Sequence, residues 1–433
     1  MHALQRSRPK PLQKFHRRLR SVALFEQLGP GLVTGAADDD PSGIATYSQV
    51  GARFGFQLLW VMVLVYPLMT AIQLISAHIG RVTGCGLAKN MSNALPKWLV
   101  AGLVALLLIA NTINIGADLA AMGQAAGLIV GFDGKILTVG LALVSLTLQL
   151  FVPYKRYAAL LKWVTLSLLA YVAVLFLVKI DWSAVLVGLV WPKVAGVGAW
   201  TMIVAVLGTT ISPYLFFWQS AQEVEQVSQD PDAKPLKEAP GQARREFQRI
   251  RIDTFAGMAI SVVVALAIMI GTAATLNAAG QTSIQTATDA AKALEPVAGK
   301  FALALFALGI IGTGMLAVPV LAGSAAYAVG ESRGWKCGLE EKPWHAVGFY
   351  TIIGLATLVG LAISWSPIDP MHALIYSAVI NGFVAVPIMA TMMTIAHRRS
   401  VLGNFTASRP LLVLGCLATI VMAGAALASV LLP

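Results

Sequence analysis

The sequence predicts an all-α polytopic membrane protein made of two inverted five-helix repeats and an added eleventh helix. Of its 433 residues, 57% are hydrophobic and only 12% are charged, whereas soluble domains carry about 25% charged residues. The mean hydropathy is +0.75. Two apolar segments, at matching positions of the two halves, are interrupted by proline. Such a matched pair is typical of transporters built from inverted repeats.

Apolar segments of about 18 residues or more are predicted to cross the bilayer. Eleven are found, at about 28–50, 57–79, 98–122, 135–152, 158–178, 196–219, 252–275, 301–327, 345–364, 370–395 and 410–432. The chain then divides into a basic cytoplasmic tail (1–27), a first five-helix repeat (28–178), an external connection (179–195), a second five-helix repeat (196–395), and a cytoplasmic loop with the eleventh helix (396–433).

The positive charges predict the orientation of these segments. With the N-terminus inside, 25 of the 31 Lys and Arg residues fall on cytoplasmic segments and 6 on external ones. This asymmetry favours a cytoplasmic N-terminus and an external C-terminus in a cell inner (plasma) membrane. No cleavable signal peptide is predicted. The net charge of +11 therefore reflects membrane orientation, and we expect no nucleic-acid partner.

The first apolar segment contains three consecutive carboxylates, Asp38, Asp39 and Asp40, followed by Pro41. A charge at bilayer depth is costly unless it faces protein, water or an ion. Proline removes a backbone donor, and unwound backbone at this depth is tolerated only where it lines a cavity. The segment is therefore predicted to be a broken helix that carries a cation site.

The sixth apolar segment is interrupted in the same way, over Gly208-Thr209-Thr210-Ile211-Ser212-Pro213-Tyr214. A single proline kink in a membrane helix is a weak signal. Two interrupted helices at corresponding positions, one of them with carboxylates, predict a substrate site between the repeats.

Gly29-Pro30-Gly31 is followed by eight residues and Asp40-Pro41-Ser42-Gly43. This stretch resembles the pattern of the NRAMP family of divalent-metal transporters, which is Gly-Pro-Gly, eight residues, and Asp-Pro-Gly-Asn. Within the family, the chain resembles the magnesium-transporting branch. Gly80-Arg81-Val82-Thr83-Gly84 resembles the family's Gly-x-Val-Thr-Gly, and Gly309–Gly314 and Arg398–Gly403 resemble family stretches less specifically. The resemblance implies a LeuT-type fold with an eleventh helix.

The resemblance also implies a ligand set. The family's motif Asp, motif Asn, backbone carbonyl and Met correspond here to Asp40, Gly43, the Thr209 carbonyl and Ser212. The thioether and the amide are missing, and oxygen ligands suit Mg²⁺ and Mn²⁺. Since Mg²⁺ tends to keep its waters, Gly43 and Ser212 are expected to leave room for a partly hydrated ion.

Asp38 and Asp39 are expected in the hydration shell or the vestibule. Successive helical positions diverge by about 100°, so both cannot point inward if the segment is helical. Asn381 on the tenth helix lies where the family contributes an amide to the site. It is either an ion ligand or a residue of helix packing.

Residues for proton coupling are mostly absent. The two histidines that the family has on helix six correspond to Tyr214 and Gln219. On helix three, Asp118 is kept but the family's Glu is Ala121. Proton relays in membranes use Asp, Glu and His, so uptake driven by the membrane potential is expected. Asp118 is either a structural carboxylate, bonded to hydroxyls such as Thr112, or part of the aqueous pathway.

The sequence therefore predicts a monomeric secondary transporter in the lipid bilayer that imports divalent cations, chiefly Mg²⁺ and also Mn²⁺. The transported ion is its substrate, and no cofactor is expected. The nearest alternative is a proton-coupled Mn²⁺/Fe²⁺ symporter. A magnesium channel is a further alternative, whereas an amino-acid symporter is disfavoured by the three acids. An aspartyl protease with Asp40 and Asp118 as its dyad lacks the expected sequence context, so we do not expect an enzyme.

Overall fold

The computed structural model describes residues 29–152, 166–194 and 196–432. All regular secondary structure in these ranges is helical, which confirms the predicted fold class. The predicted basic tail and the first part of the fifth predicted span lie outside the described residues. The described helices of eight or more residues are α1 (Pro30–Asp38), α2 (Pro41–Phe54), α3 (Trp60–Thr83), α4 (Leu87–Ala94), α5 (Lys97–Val130), α6 (Gly134–Phe151), α7 (Leu169–Leu177), α8 (Trp182–Val190), α9 (Ala199–Thr210), α10 (Pro213–Gln229), α11 (Ala243–Thr272), α12 (Ala302–Arg333), α13 (Val347–Ile363), α14 (Pro370–His397) and α15 (Arg409–Leu431).

Eight helical segments among the described residues are long and apolar enough to cross a membrane. Eleven crossings are predicted from the sequence, and the three that are not among these eight are the first, the fifth and the ninth. The first predicted span is divided into α1 and α2, which have only 9 and 14 residues. The ninth corresponds to α13, an apolar helix of 17 residues. The fifth is described only in part, by α7 and the turn before it.

The two interrupted helices pack against different parts of the bundle. Helix α1 lies on α11, and α9 lies on α14. The long helix α5, with 34 residues, contacts α12, α13 and α14. Helix α5 therefore lies beside the first break as well as beside α14, and it can contribute side chains to a site between the repeats.

Glycines permit the close contact between α1 and α11. A methyl group added at Gly35 would lie 2.4 Å from the carbonyl oxygen of Gly257, and one at Gly257 would lie 2.2 Å from that of Gly31. Small residues allow helix backbones to approach closely in membranes. This contact fixes α1, and with it the start of the first break, against α11.

Candidate cation site

The two helix breaks have nearly the same backbone geometry. The residue after α1, Asp39, has φ −85° and ψ 51°, and the next, Asp40, has φ −71° and ψ 171°. The residue after α9, Ile211, has φ −108° and ψ 50°, and the next, Ser212, has φ −71° and ψ 134°. In both cases a proline then begins the next helix, a position where its fixed φ and missing N–H are tolerated. Each break therefore consists of two non-helical residues.

The two carboxylate oxygens of Asp40 have different roles. Oδ1 accepts hydrogen bonds from the Ser42 hydroxyl at 2.6 Å and the Gly43 amide at 2.8 Å, so it caps the start of α2. Oδ2 has only two long contacts, with Asn114 Nδ2 at 3.3 Å and the Tyr214 hydroxyl at 3.4 Å. Hydrogen bonds of this length are weak. Asp40 is 1% exposed, and Oδ2 is the oxygen that remains available for an ion.

The second break places further oxygen atoms beside the first. The Ser212 hydroxyl donates to the carbonyls of Gly208, at 2.5 Å, and Thr209, at 2.9 Å. The Thr209 hydroxyl lies 3.4 Å from that of Ser42, which in turn bonds Asp40. The two breaks therefore meet through Ser42 and Thr209, and the lone pairs of the Ser212 hydroxyl stay free to accept.

Gly43 also faces the second break. A methyl group at this position would lie 3.2 Å from the Thr209 hydroxyl and 3.2 Å from the Tyr47 ring. These distances are tighter than ordinary packing, so a side chain at position 43 would have to push Thr209 or Tyr47 aside. Position 43 is therefore closely packed, and the room for water expected there stays a prediction.

Asp38 and Asp39 form a separate pair that faces α11. The Ser261 hydroxyl donates to Asp38 Oδ2, and it lies 3.2 Å from Asp39 Oδ1. Helix α1 ends at Asp38, so the 100° spacing of a continuous helix does not separate the two side chains. Both are buried. Asp38 and Asp39 thus lie beside Ser261, whereas Asp40 lies between Ser42 and Asn114.

Asn114 on α5 joins the remaining candidates and is a residue that the sequence analysis missed. Its Nδ2 donates to Asp40 Oδ2 at 3.3 Å and to Asp118 Oδ2 at 3.1 Å, and its Oδ1 accepts from Asn381 Nδ2 at 3.0 Å. The hydroxyl of Thr112 donates to the Leu108 carbonyl instead, so it is not the partner of Asp118. The available signal was a second polar residue one turn before Asp118 in an apolar span.

Tyr214, on α10, lies beside Asp40 at the first break. Its hydroxyl lies 3.2 Å from the Ala37 carbonyl and 3.4 Å from Asp40 Oδ2. Gln219, one and a half turns further along α10, accepts a hydrogen bond from the Thr34 hydroxyl. Neither side chain is a carboxylate or an imidazole.

The groups described around Asp40 offer oxygen atoms to a cation, whereas Asn114 Nδ2 is a hydrogen-bond donor in the observed arrangement. Among the described residues, no three His, Cys, Asp or Glu side chains form a metal-binding group. A site at Asp40 would therefore combine carboxylates with hydroxyl, amide and backbone carbonyl oxygens. Ligands of this kind suit hard cations such as Mg²⁺ and Mn²⁺.

Comparisons with known proteins agree with this architecture. The profile of the family described as natural resistance-associated macrophage protein-like (Nramp) matches residues 31–432. The divalent metal cation transporter MntH of Aeromonas hydrophila subsp. hydrophila is 30% identical over 297 residues, which cover 66% of this chain and 69% of that protein.

Two solved structures show the fold. A manganese transporter of Eremococcus coleocola, in complex with an aromatic bis-isothiourea substituted compound, has a TM-score of 0.75 at 18% identity over 97% of this chain and 88% of its own. The second is Mhp1, a nucleobase-cation-symport-1 family transporter in a closed conformation with bromovinylhydantoin bound. It has a TM-score of 0.56 at 13% identity over 93% of this chain and 92% of its own. The predicted LeuT-type fold is confirmed.

Proposed function

The chain belongs to the Nramp family, and from this premise we propose that it imports hydrated divalent cations, chiefly Mg²⁺ and also Mn²⁺, by alternating access. The ion is the substrate, and neither a resident cofactor nor an enzymatic activity is part of the proposal. The transporter acts as a monomer in a cell inner (plasma) membrane, with its N-terminus cytoplasmic and its C-terminus external.

The observation that carries the proposal is the set of atoms at the two breaks. Asp40 Oδ2 is held by long contacts only, and Ser212 offers a hydroxyl oxygen next to the Thr209 carbonyl. The resemblance puts a methionine at the Ser212 position in ordinary family members. Exchange of a thioether for a hydroxyl favours a hard cation over transition metals.

The energy source of the proposed import is the membrane potential. A divalent cation gains about 4.6 kcal/mol across 100 mV, twice the 2.3 kcal/mol of a single charge. The positions that carry family histidines and a glutamate hold Tyr214, Gln219 and Ala121. None of these takes up a proton near neutral pH, which supports import without obligatory proton coupling.

Uptake into liposomes tests the proposal. The purified full chain is reconstituted, Mg²⁺ uptake is driven by an inward-negative potential, and a pH-sensitive dye records proton movement. We expect saturable uptake without a matching proton flux, and loss of uptake in Asp40→Ala. Asp181→Ala, at an exposed position, is the matched control and should transport normally. Normal uptake by Asp40→Ala would refute the site.

Ion selectivity tests the role of the second break. Ser212→Met restores the soft ligand and should strengthen Mn²⁺ or Cd²⁺ binding while reducing Mg²⁺ transport. Ser212→Thr keeps the hydroxyl and should leave the selectivity unchanged. Equal selectivity of the Met and Thr variants would show that residue 212 does not contact the ion.

A proton-coupled Mn²⁺/Fe²⁺ symporter is the second candidate, and one observation favours it. Asn114 connects Asp118 to Asp40 within the bundle, and chains of carboxylates serve as proton routes in membranes. A metal-dependent proton flux that is abolished in Asp118→Asn would establish this second function in place of the first.

A further inference from the structure

The amide of Asn114 lies between two carboxylates in a region where several polar atoms lack partners. Its Nδ2 is 3.3 Å from Asp40 Oδ2 and 3.1 Å from Asp118 Oδ2. Asp118 Oδ1 and Asn381 Oδ1 are both buried without a hydrogen-bond partner, and both residues are 0% exposed. Buried polar atoms are normally paired, and these two have no partner within the described protein, so they are available to a ligand.

An amide group compensates two carboxylates poorly. Asn114 is neutral and divides its two N–H donors between them, whereas buried charge is stable only when it is paired. The gap that the Nδ2 group faces lies between an oxygen of Asp40, which the Tyr214 hydroxyl also contacts, and an oxygen of Asp118. A divalent cation in this gap would neutralise both carboxylates through oxygen ligands.

We propose that Asn114 is a switchable ligand of the transported divalent cation, which binds between Asp40 and Asp118. In the ion-free site the Nδ2 group of Asn114 faces this gap and donates to both carboxylates. When the cation arrives, the amide turns about its Cβ–Cγ bond and presents Oδ1 to the ion, and Nδ2 turns towards Asn381. This inference rests on the proposed cation transport and names a specificity-determining residue for it.

The second amide allows the hydrogen bond between Asn114 and Asn381 to be kept during this rotation. Asn381 now donates its Nδ2 to Asn114 Oδ1, while its own Oδ1 has no partner. If both amides turn, Asn381 Oδ1 accepts from Asn114 Nδ2 and one bond replaces the other. The two ends of an amide are alike in shape, and the terminal torsion of asparagine is broad.

An ion ligand at Asn114 would also replace the amide that is absent from the first break. The resemblance places an amide ligand at position 43, where this chain has Gly43. Asn114 supplies an amide to the same carboxylate, Asp40, from helix α5. The amide oxygen of the site is thus provided by the third predicted span rather than by the first.

Titration of the purified full chain with Mg²⁺ alone, followed by calorimetry, tests the proposal. Asn114→Leu removes the amide at similar volume and should weaken Mg²⁺ binding about tenfold or more, because even supporting residues of metal sites cost 10- to 100-fold. Asn114→Asp keeps an oxygen but cannot donate N–H, and it should bind Mg²⁺ at least as tightly as the wild type. Equal losses in both variants would mean that Asn114 only donates hydrogen bonds, and the inference would be wrong.

A direct reading of the ligand separates coordination from the effect of added charge. Mn²⁺ is bound to protein that carries ¹³C-labelled asparagine, and pulsed electron–nuclear double resonance detects carbon atoms close to the ion. We expect a carbonyl ¹³C coupling that persists in Asn381→Ala and disappears in Asn114→Asp. Absence of this coupling from the wild type would overturn the inference.

Asn111, one turn earlier on α5, is the matched control. Its amide donates to the Leu321 carbonyl and the Ser324 hydroxyl, both at 2.9 Å and both on α12. Asn111→Ala therefore tests loss of a buried amide on the same helix and should keep wild-type Mg²⁺ affinity. If uptake requires Asp40 while Asn114→Leu binds Mg²⁺ normally, the proposed function stands and the switchable ligand does not.

Discussion

Asp253 on α11 caps the beginning of α1. One carboxylate oxygen accepts from the Gly31 amide at 2.7 Å and the other lies 3.2 Å from the Leu32 amide. The first amides of a helix have no partner within it, and a carboxylate there also interacts favourably with the helix dipole. Helix α1, which leads to the first break, is therefore held against α11 in two ways. The Asp253 carboxylate binds its N-terminal end, and glycine contacts hold it along its length.

Removal of this cap should loosen α1. Loss of a helix cap costs about 1 kcal/mol, equivalent to about a fivefold change in an opening equilibrium. We expect amide hydrogen exchange of residues 30–38 in Asp253→Ala to be faster by about this factor. Gly29→Ala should have the same effect, because its methyl group would lie 2.2 Å from Asp253 Oδ2.

Asp181→Ala is the control for this prediction. Asp181 also caps a helix, α8, through the amides of Ser183 and Ala184. Helix α8 packs on α3, whereas α1 packs on α11. Its loss should leave exchange in α1 unchanged. Unchanged exchange of residues 30–38 in Asp253→Ala would show that the glycine contacts alone hold α1.

A buried ion pair joins α10 to α11 one turn from this cap. Glu223 has a 0% exposed side chain and pairs with Arg249 at 2.5 Å, and Arg249 also lies 3.1 Å from Glu246. Removal of one partner of a buried pair costs about 3 kcal/mol, whereas joint replacement by apolar residues is often neutral. We expect Glu223→Met to lower the free energy of unfolding in detergent by about this amount, and Glu223→Met with Arg249→Met to recover most of it.

The exposed neighbour of this pair is a suitable reference. Arg245 is 92% exposed and 4.0 Å from Glu246, and exposed pairs contribute little. Arg245→Gln should change stability by less than about 0.5 kcal/mol. A double-mutant cycle in which the Glu223 and Arg249 effects simply add would contradict their coupling.

The glycine contact between α1 and α11 predicts an effect of a single methyl group. Gly257→Ala would place a carbon 2.2 Å from the Gly31 carbonyl oxygen, and overpacking typically costs about 1–3 kcal/mol. We expect a lower midpoint of thermal unfolding in detergent and reduced Mg²⁺ uptake. Gly102→Ala and Gly424→Ala, where a methyl group meets nothing within 4 Å, should behave as wild type.

Cys337 should be unreactive despite its place in a connecting segment. Burial, with smaller effects from Glu331 and Glu225, raises the pKa of its thiol to about 12. A raised pKa keeps the thiol protonated below that value, and only the thiolate reacts with maleimides. Cys337 is labelled at pH 8 in a variant without Cys85 and Cys416, and the reference is Ser408→Cys, an exposed position, in a variant without all three native cysteines. Labelling of Cys337 should be more than about tenfold slower. Equal rates would show that the thiol is not packed as described.

The helix breaks were predictable because their causes are local. Pro41 and Pro213 cannot continue a helix, and the carboxylates before Pro41 have no reason to lie in a membrane helix unless it is broken. The structure places both breaks at these prolines. The approximate number of spans was also predictable from apolar length. It deviates where a break divides the first span into two short helices and where α13 has only 17 residues.

The role of Asn114 was not predictable, because it depends on which helices are neighbours. In the sequence it is an isolated amide in an apolar span, a pattern that equally fits helix packing. Only the fold brings α5 beside the first break and aligns Asn114 with Asp40 and Asn381. The partners of Asp38 and Asp253 were missed for the same reason, since Ser261 and Gly31 lie more than 200 residues from them.

The shared geometry of the two breaks gives the backbone itself a preferred ionic sign. Helices α1 and α9 end at the site, and each C-terminus carries about half a negative charge. Helices α2 and α10 begin there, but each starts with a proline that has no N–H, and the Gly43 amide is already bonded to Asp40. The positive helix ends are thus partly cancelled, and the negative ends are compensated by neutral hydroxyls, such as those of Ser212 and Tyr214. This backbone geometry would favour cations as a class, and the side chains would then distinguish one cation from another.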